Sequence, residues 1–433
     1  MLKYLWMVVQ DLFLPVTFVS LMHAVLGKQF GKRGRAFHWA GILLGILASA
    51  VFAWFKNTSN RIISSHWNHV IYAVIIGFTL VFVLLLILFG RKKRESYSAP
   101  LHFGEGLLCL AGAGLSAAWI FFKLPGVIGY PFNFNTMGNG YWSWYYMQRL
   151  LGWALALIIL AIYAYLLHEC AFQIKKDRVP KVILAVGTVW NAFYCFCYFF
   201  VPFVSRAKWL KWPIKYSAEK HGWLRKLTQF ASQNSMLFIW VVVVLVLLLA
   251  LLFFMENTKV TEPYDNPAQH RKLRAQNRKR RRFALATGIF LAGIVLILTA
   301  VKNYDTRVIE LSQPETYTIE GDEILIPIES VSDEHLHRFE YQTDNGVNIR
   351  WIVVKQPNSA SFGTGLDACE VCGNAGYFER NGQVVCRRCD VVMNINTIGF
   401  KGGCNPIPLR YEVRDGQLVF QLADILAGER EFR

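Results

Sequence analysis

Cysteine residues are concentrated near the C-terminal end of the chain. Two Cys-x2-Cys pairs and one further cysteine lie close together, and they account for five of the nine cysteines in the 433-residue sequence. They are Cys369, Cys372, Cys386, Cys389 and Cys404. One pair can place two thiolates on a cation without backbone strain, and a second pair completes the tetrahedral sulfur shell that Zn2+ or iron prefers. The spacing therefore predicts a metal or redox site.

Three chemistries are compatible with this cysteine pattern. A structural Zn2+ fits two pairs, although the thirteen residues between Cys372 and Cys386 are slightly fewer than in a zinc ribbon. One iron ion or a small iron–sulfur cluster fits the same thiolates. Disulfides are the third alternative, because thiols in an oxidising compartment tend to pair. A plain ribbon needs no fifth cysteine, so we predict that Cys404 is a fifth ligand or a close neighbour of the metal.

Most of the remaining chain is apolar enough to lie in a membrane. Hydrophobic residues make up 54% of the sequence and the mean hydropathy is +0.31, which excludes an ordinary soluble enzyme. About eight segments are long and apolar enough to span a bilayer as helices. They cover roughly residues 7–26, 36–55, 68–90, 101–122, 147–167, 182–204, 236–255 and 283–301. The sequence thus predicts an α-helical polytopic domain, residues 1–301, in contact with the lipid bilayer.

Basic residues in the loops predict the orientation of these spans. Lys and Arg cluster after the first, third, fifth and seventh spans, for example in residues 91–94 and 271–282, and loops of this kind stay on the cytoplasmic side. Both termini are then extracytoplasmic. Residues 206–226 are also basic although parity places them outside, and we interpret them as a helix in the headgroup region. Topology and anionic lipids explain the net charge of +17, so no nucleic-acid partner is expected.

The tail, residues 302–433, has a different pattern. Its hydrophobic residues alternate with a period close to two, and Asn-Gly or Asp-Gly dipeptides at residues 345–346, 381–382 and 415–416 separate strand-like runs. We therefore predict a small, mostly β extracytoplasmic domain in which the second hairpin brings the two cysteine pairs side by side. His335 and His337 alternate onto one strand face and could add nitrogen ligands, although exposed strand histidines often have no such role.

Histidines near the spans are further candidates for metal chemistry. Four of them are predicted near the cytoplasmic ends of four different spans: His23, His38, His102 and His168. Imidazole is a ligand for haem iron and for other metals, so a single haem or a metal near this face is compatible with the sequence. The alternative is that these side chains only contact lipid headgroups.

Charged residues within spans are costly in hydrocarbon and often functional. Asp11 and Arg149 fall toward the outer side, where they could neutralise each other. Glu105 and Glu169 fall toward the inner side, close to His102 and His168 in the sequence. These residues could form a cation or proton route, or they could be a structural ion pair and interfacial carboxylates.

The residues around the cysteines resemble a known protein family. The similar runs are Asp367-Ala-Cys369-Glu-Val-Cys372-Gly, Gly376-Tyr377, Val385-Cys386-x2-Cys389, Asn396-Thr-Ile-Gly399, Gly402-Gly-Cys404-Asn-Pro-Ile-Pro-Leu409 and, upstream, His337-Arg338-Phe339 with Tyr341. They resemble the bacterial family of predicted iron–sulfur-containing membrane proteins of unknown function. The resemblance implies an integral component of the bacterial cytoplasmic membrane, often encoded beside iron-uptake systems, that handles electrons or metal.

Two function classes remain after the motifs are compared. No Gly-x-Gly-x-x-Gly or phosphate loop follows a strand, and no span contains an Arg-Glu-x-x-Glu motif, which disfavours a nucleotide-dependent enzyme and an iron permease of the oxidase-coupled type. We predict a metal-binding protein for electron transfer or metal handling, with periplasmic or extracellular iron-uptake and membrane-transport proteins as partners. The alternative is a transporter subunit whose tail is a structural zinc ribbon or a docking or metal-relay module.

Overall fold

The chain folds into a helical unit and a second, β-rich unit. The structure, a computed structural model, describes residues 1–59, 64–90, 101–133, 142–206, 222–307, 309–380, 382–388, 391–402 and 404–433. The helical unit ends at Asp305, and the second unit contains Thr306–Arg433. The predicted class, a polytopic helical membrane protein with a small β-rich tail, is confirmed.

Helices, most of them long and apolar, build the helical unit. They are α1 (Leu2–Thr58), α2 (Ser64–Phe89), α3 (Phe103–Gly129), α4 (Trp144–Gln173), α5 (Arg178–Arg206), α6 (Gly222–Gln233), α7 (Ser235–Glu256) and α8 (Pro267–Leu296), and α8 continues through a π-helical turn (Ile297–Val301) into the short α9 (Lys302–Asp305). Within the described residues, seven segments are long and apolar enough to cross a membrane. The first of these segments, α1, contains two of the predicted spans.

The helix α1 reverses direction at Gly31. There φ is 62° and ψ is −137°, a conformation that residues with a side chain rarely adopt. The Nδ1 atoms of His23 and His38 are 3.0 Å apart, whereas fifteen residues of continuous helix would separate them by about 22 Å. Residues 2–30 and 32–58 are therefore two antiparallel helices, and they correspond to the first two predicted spans.

Small residues allow α1 and α3 to approach closely. A Cβ atom at Gly41 would lie only 2.4 Å from the carbonyl oxygen of Ala113, and one at Gly45 would lie 3.0 Å from Ala117. Because lipid tails are as apolar as the side chains, helices in a bilayer associate through such close packing. Leu44, on the same half of α1, is exposed and available for lipid contact.

The orientation of the spans stays a prediction. Residues 91–94, which contribute to the expected cytoplasmic charge, lie outside the described residues. So do residues 207–221, the greater part of the expected headgroup helix. The described helix that follows them is α6, which is short and amphipathic.

Antiparallel strands build the second unit. In its described residues they are β1 (Thr318–Glu320), β2 (Glu323–Pro327), β3 (His337–Gln342), β4 (Asn348–Lys355), β5 (Phe362–Leu366), β6 (Tyr377–Arg380), β7 (Gln383–Cys386), β8 (Glu412–Arg414) and β9 (Gln417–Gln421), followed by α10 (Leu422–Leu426). The sheet orders are β1-β2-β9-β8, β3-β4-β5 and β6-β7. The three predicted hairpins correspond to β3–β4, β6–β7 and β8–β9, although Asn381 in the second turn lies outside the described residues.

The central strand β4 is buried on both of its faces. On one face, Trp351 is fully buried and stacks on Phe339, with ring centroids 5.7 Å apart. On the other face, Ile352 and Val354 pack in the side-chain cluster that contains Cys369. One face of β4 therefore contributes to the main core of the tail, and the other face packs directly against the cysteine region.

The conformation at Gly31 predicts the effect of adding a methyl group there. Gly31→Ala should destabilise the helical unit by about 1–3 kcal/mol, because alanine is strained at this φ and ψ. Thermal unfolding of the detergent-solubilised protein should therefore occur at a lower Tm. The matched control is Gly77→Ala, within α2, where a Cβ atom meets open space and alanine favours the helix. Equal Tm values for the two variants would contradict the reversal at Gly31.

Candidate metal centre

Three cysteine side chains converge in the second unit. The Sγ atoms of Cys369, Cys372 and Cys404 all lie within 4.8 Å of one another. Cys369 and Cys372 are buried, whereas Cys404 is half-buried. Two thiolates bound to one tetrahedral ion at about 2.3 Å lie about 3.8 Å apart. The spacing of this thiol triad is therefore suitable for ligands of one metal centre.

A tight turn holds the first two members of the triad. The amide of Cys369 donates to the carbonyl oxygen of Gly373 at 3.1 Å, and the amide of Gly373 donates back at 2.9 Å. Gly373 has a φ of 66°, which glycine adopts without strain. Inside the turn, the amide of Cys372 donates to Sγ of Cys369 at 3.1 Å. Hydrogen bonds to sulfur are among the features that tune the potential of iron–sulfur centres.

The second cysteine pair is described only in part. Cys386 ends β7, where it is buried and packs in the same side-chain cluster as Cys369 and Cys372. It is not part of the triad defined by the 4.8 Å separation. Cys389 lies outside the described residues. The structure therefore brings Cys404 to the first pair and places one member of the second pair nearby.

Tyr377 connects the β6–β7 hairpin with the thiol triad. It is opposite Cys386 in the strand register, and its hydroxyl donates to the carbonyl oxygen of Cys404 at 2.6 Å. Burial and the neighbouring thiols, of which Cys369 is the first, raise the pKa of Tyr377 far above its ordinary value. The hydroxyl therefore stays protonated and holds the backbone at Cys404 as a hydrogen-bond donor.

A buried carboxylate anchors the loop that leads into the triad. Oδ2 of Asp367 accepts hydrogen bonds from Nε of Arg338 and Nε of Arg350, both at 3.1 Å. Its Oδ1 accepts from the amide of Tyr377 at 2.7 Å. Asp367 is fully buried and Arg338 is 1% exposed. Charges at such depth are tolerated only when they are paired and hydrogen-bonded, so the members of this network stabilise one another.

The sequence does not predict the supporting role of this network. Arg338 and Asp367 belong to the motifs that resemble the family, but no pattern in the sequence pairs them. The strand pattern gave little signal, because Arg338 falls on the polar side of β3 with Glu340 and Gln342, yet it is buried. Such a residue needs an opposite charge in the interior, and Asp367 directly follows the buried strand β5.

The tail histidines contact carboxylates. Nδ1 of His335 lies 2.9 Å from Oε1 of Glu379. This hydrogen bond and the negative charge of Glu379 raise the pKa of His335. His337 is held on both ring nitrogens, with Nδ1 3.0 Å from Glu315 and Nε2 2.7 Å from Asp333. Neither histidine belongs to the thiol triad, and their role as metal ligands stays a prediction.

In the helical unit, three of the four predicted histidines lie together. His23 and His38 approach to 3.0 Å between Nδ1 atoms, and the ring centroids of His23 and His168 are 5.3 Å apart. His102 lies instead at the start of α3, where its backbone amide donates to Oε2 of Glu105 at 3.0 Å. This contact is part of a capping box, which gives Glu105 a structural role at the helix end.

The charged residues predicted at the outer side have defined contacts. The carboxylate of Asp11 accepts from Nζ of Lys123 at 3.0 Å and from the hydroxyl of Tyr130 at 2.6 Å. Arg149 is buried, with its guanidinium carbon 5.7 Å from the ring centroid of Tyr4. Lys123 was missed by the sequence analysis because it directly follows the fourth predicted span, which ends at residue 122. The signal was a lysine adjoining an apolar run.

The apolar helices and the thiol triad are features of a membrane metal-binding protein. Residues 331–432 match the family described as membrane iron-sulfur containing protein FtrD-like. The predicted family resemblance is therefore confirmed for this part of the chain, which includes the cysteine cluster. No curated protein and no solved structure matches the chain.

The buried carboxylate predicts a large effect of removing its charge. Asp367→Asn should destabilise the sheet β3-β4-β5 by about 3–5 kcal/mol, because Arg338 then remains buried without its counter-ion. Hydrogen exchange of the full-length protein should show faster exchange of the amides in these strands.

The matched control for this change is Glu323→Gln. Glu323 pairs with Arg414 at the exposed surface of the same unit, where ion pairs contribute little, so exchange in β3-β4-β5 should stay unchanged. An Asp367→Asn protein with the exchange rates of the control would contradict the anchoring role of the carboxylate.

Proposed function

We propose that the cysteine cluster binds iron and that the protein transfers electrons or metal during bacterial iron uptake. The observation that carries the proposal is the thiol triad within a region that matches an iron-sulfur containing family. Cys369, Cys372 and Cys404 would supply three ligands, and Cys386 or Cys389 would supply the fourth. Bound iron would supply one-electron chemistry at this position.

The donor set fits iron in both number and kind. Thiolates are soft ligands, and a tetrahedral set of sulfur atoms is typical of iron and zinc centres. The hydrogen bond from the amide of Cys372 to Sγ of Cys369 is a contact found around such sulfurs. Tyr377 holds the backbone at Cys404, so two features of the surrounding chain orient ligands in addition to the spacing of the thiols.

The chain around Cys369, Cys372 and Cys404, here called the ligand loop, is accessible to solvent. This accessibility supports a transfer role over a purely structural one. Val371, between the first two cysteines, is 65% exposed, and Phe400 is also exposed. Cys404 is half-buried. A soluble partner or an iron species can therefore approach the ligand loop closely, which electron or metal transfer requires and a structural centre does not.

A structural zinc site is the second candidate. The observation in its favour is that Cys369, Cys372 and Cys386 are buried among apolar side chains of the tail core, as expected when a metal replaces part of a small core. In that case the tail would be a docking or metal-relay module, and the helical unit would carry a transport function.

The location and partners belong to the same proposal. The protein would lie in the bacterial cytoplasmic membrane with both termini on the extracytoplasmic side, as the basic loops predict. Iron-uptake and membrane-transport proteins outside the cytoplasm would then be able to contact the cysteine cluster.

Metal analysis of the cysteine variants tests the proposal. Full-length protein purified without oxygen should contain iron and show thiolate charge-transfer bands that bleach on reduction. Cys369→Ser and Cys372→Ser should each lose most of the iron, because a hydroxyl is a poor replacement for a soft thiolate ligand. The measurement is the iron content per chain together with the visible spectrum.

The matched control is Cys170→Ser in the helical unit. Cys170 is buried and contacts the hydroxyl of Thr287 at 3.2 Å, a contact that serine retains, so the iron content should be unchanged. Stoichiometric zinc without visible absorption would instead establish the structural alternative, and disulfide-bonded cysteines without metal would contradict both candidates.

Removing the hydrogen bond of Tyr377 should affect metal binding less than removing a cysteine ligand. Tyr377→Phe should keep the metal but weaken its binding by about 10- to 100-fold, since residues that orient ligands typically contribute this much. The measurement is the rate of metal loss to a chelator. Tyr411→Phe is the control, because Tyr411 accepts a hydrogen bond from the amide of Phe362 elsewhere in the tail. Equal rates in both variants would show that Tyr377 does not orient Cys404.

A further inference from the structure

An arginine of the second cysteine pair contacts the turn that carries the first pair. Arg388 lies between Cys386 and Cys389 in the sequence. Its Nη1 donates a hydrogen bond to the carbonyl oxygen of Cys372 at 3.1 Å. Because the carbonyl oxygen and Sγ of one cysteine are only a few bonds apart, this nitrogen lies within about 8 Å of the sulfur of Cys372. The guanidinium is always charged, so the contact places a permanent cation beside a proposed metal ligand.

Backbone hydrogen bonds hold the segment that carries Arg388. The amide of Arg387 donates to the carbonyl oxygen of Gly376 at 3.0 Å, and the amide of Cys386 donates to the carbonyl oxygen of Val391 at 2.9 Å. The segment is thus joined to the chain around the first pair at two points, once through the backbone and once through the guanidinium. Arg388 therefore has a defined place relative to the thiol triad.

A second arginine contacts the same turn. Nη2 of Arg350 donates to the carbonyl oxygen of Asn374 at 2.9 Å, while its Nε is paired with the carboxylate of Asp367. The contact of Arg388, in contrast, is with the neutral carbonyl oxygen of Cys372. A carbonyl oxygen does not neutralise a guanidinium, so Arg388 adds positive charge to the surroundings of the triad.

We infer that Arg388 raises the reduction potential of an iron centre held by the cysteines. Four thiolates give such a centre a negative charge, and reduction adds one electron, and hence one more negative charge, without breaking a bond. A nearby cation stabilises the more negative state more strongly, because the Coulomb energy grows with the product of the charges. Net charge, hydrogen bonds and solvent exposure are the properties through which proteins set the potential of iron–sulfur centres. The inference rests on the proposed function, since it applies only to a redox-active metal.

Potentiometric titration of the full-length, iron-loaded protein in detergent tests this role. Arg388→Gln removes the charge and should lower the midpoint potential by about 59 mV, which is a tenfold change in the ratio of reduced to oxidised protein for a one-electron couple. Arg388→Lys keeps the charge, so its potential should stay close to that of the unchanged protein. The difference caused by Arg388→Gln should shrink with added salt, because the Debye length falls from about 30 Å at 0.01 M to about 3 Å at 1 M.

The matched control is Arg414→Gln. It makes the same change of charge in the same unit, but Arg414 lies in another sheet and pairs with Glu323 at an exposed surface, so the potential should be unchanged. Equal potentials for the Arg388→Gln and Arg414→Gln proteins would overturn the inference.

The iron content of each variant separates the effect of the charge from a structural effect. The Arg388 variants should keep their iron, because none of them removes a ligand. Loss of iron from both Arg388→Gln and Arg388→Met would show that Arg388 only holds the ligand loop, and would overturn its role in setting the potential. Absence of iron from the unchanged protein would instead overturn the proposed function, and this inference with it.

Discussion

The geometry of the tail depends on the hydrogen bonds and ion pairs that the buried carboxylate of Asp367 makes. It accepts hydrogen bonds from arginines on two different strands, Arg338 on β3 and Arg350 on β4, and it also holds the first amide of β6 at Tyr377. Because removing the carboxylate would leave Arg338 buried without its counter-ion, this one group connects β3, β4 and β6. Cys369 follows two residues later, so the thiols take their positions from an ionic network rather than from their own turn alone.

The helical unit is stabilised by different physics. Apolar side chains gain little from leaving lipid, so close contacts such as that of Gly41 with Ala113 carry much of the association between helices. Polar groups between these helices need partners within the protein, because the hydrocarbon region contains no water to bind them. Asp11 is matched by Lys123, and the reversal at Gly31 places His23 against His38. Each of these polar contacts joins two specific parts of the helical unit.

Features that depend on local sequence could be predicted, whereas long-range contacts could not. The apolar spans follow from length and composition, and the hairpins follow from turn dipeptides such as Asn345-Gly346. The fifth cysteine predicted that Cys404 is a ligand or a close neighbour of the metal, but no local pattern encodes the loop closure that places it beside the first pair. In the same way, interfacial position alone predicted four separate histidines near one face. Only the fold separates His102, which belongs to a helix cap, from the three that share a cluster.

The two buried faces of β4 have a consequence for how the cysteine loop could be transferred between proteins. Trp351 and Val353 pack into the main core of the tail, while Ile352 and Val354 pack beside the cysteines. The loop from Asp367 onward therefore shares its buried contacts with β4. A graft containing only the cysteine motif would lack the side chains of Ile352 and Val354 on which the cysteines pack. The smallest graft expected to keep the thiol geometry is one that carries the sheet β3-β4-β5 with it.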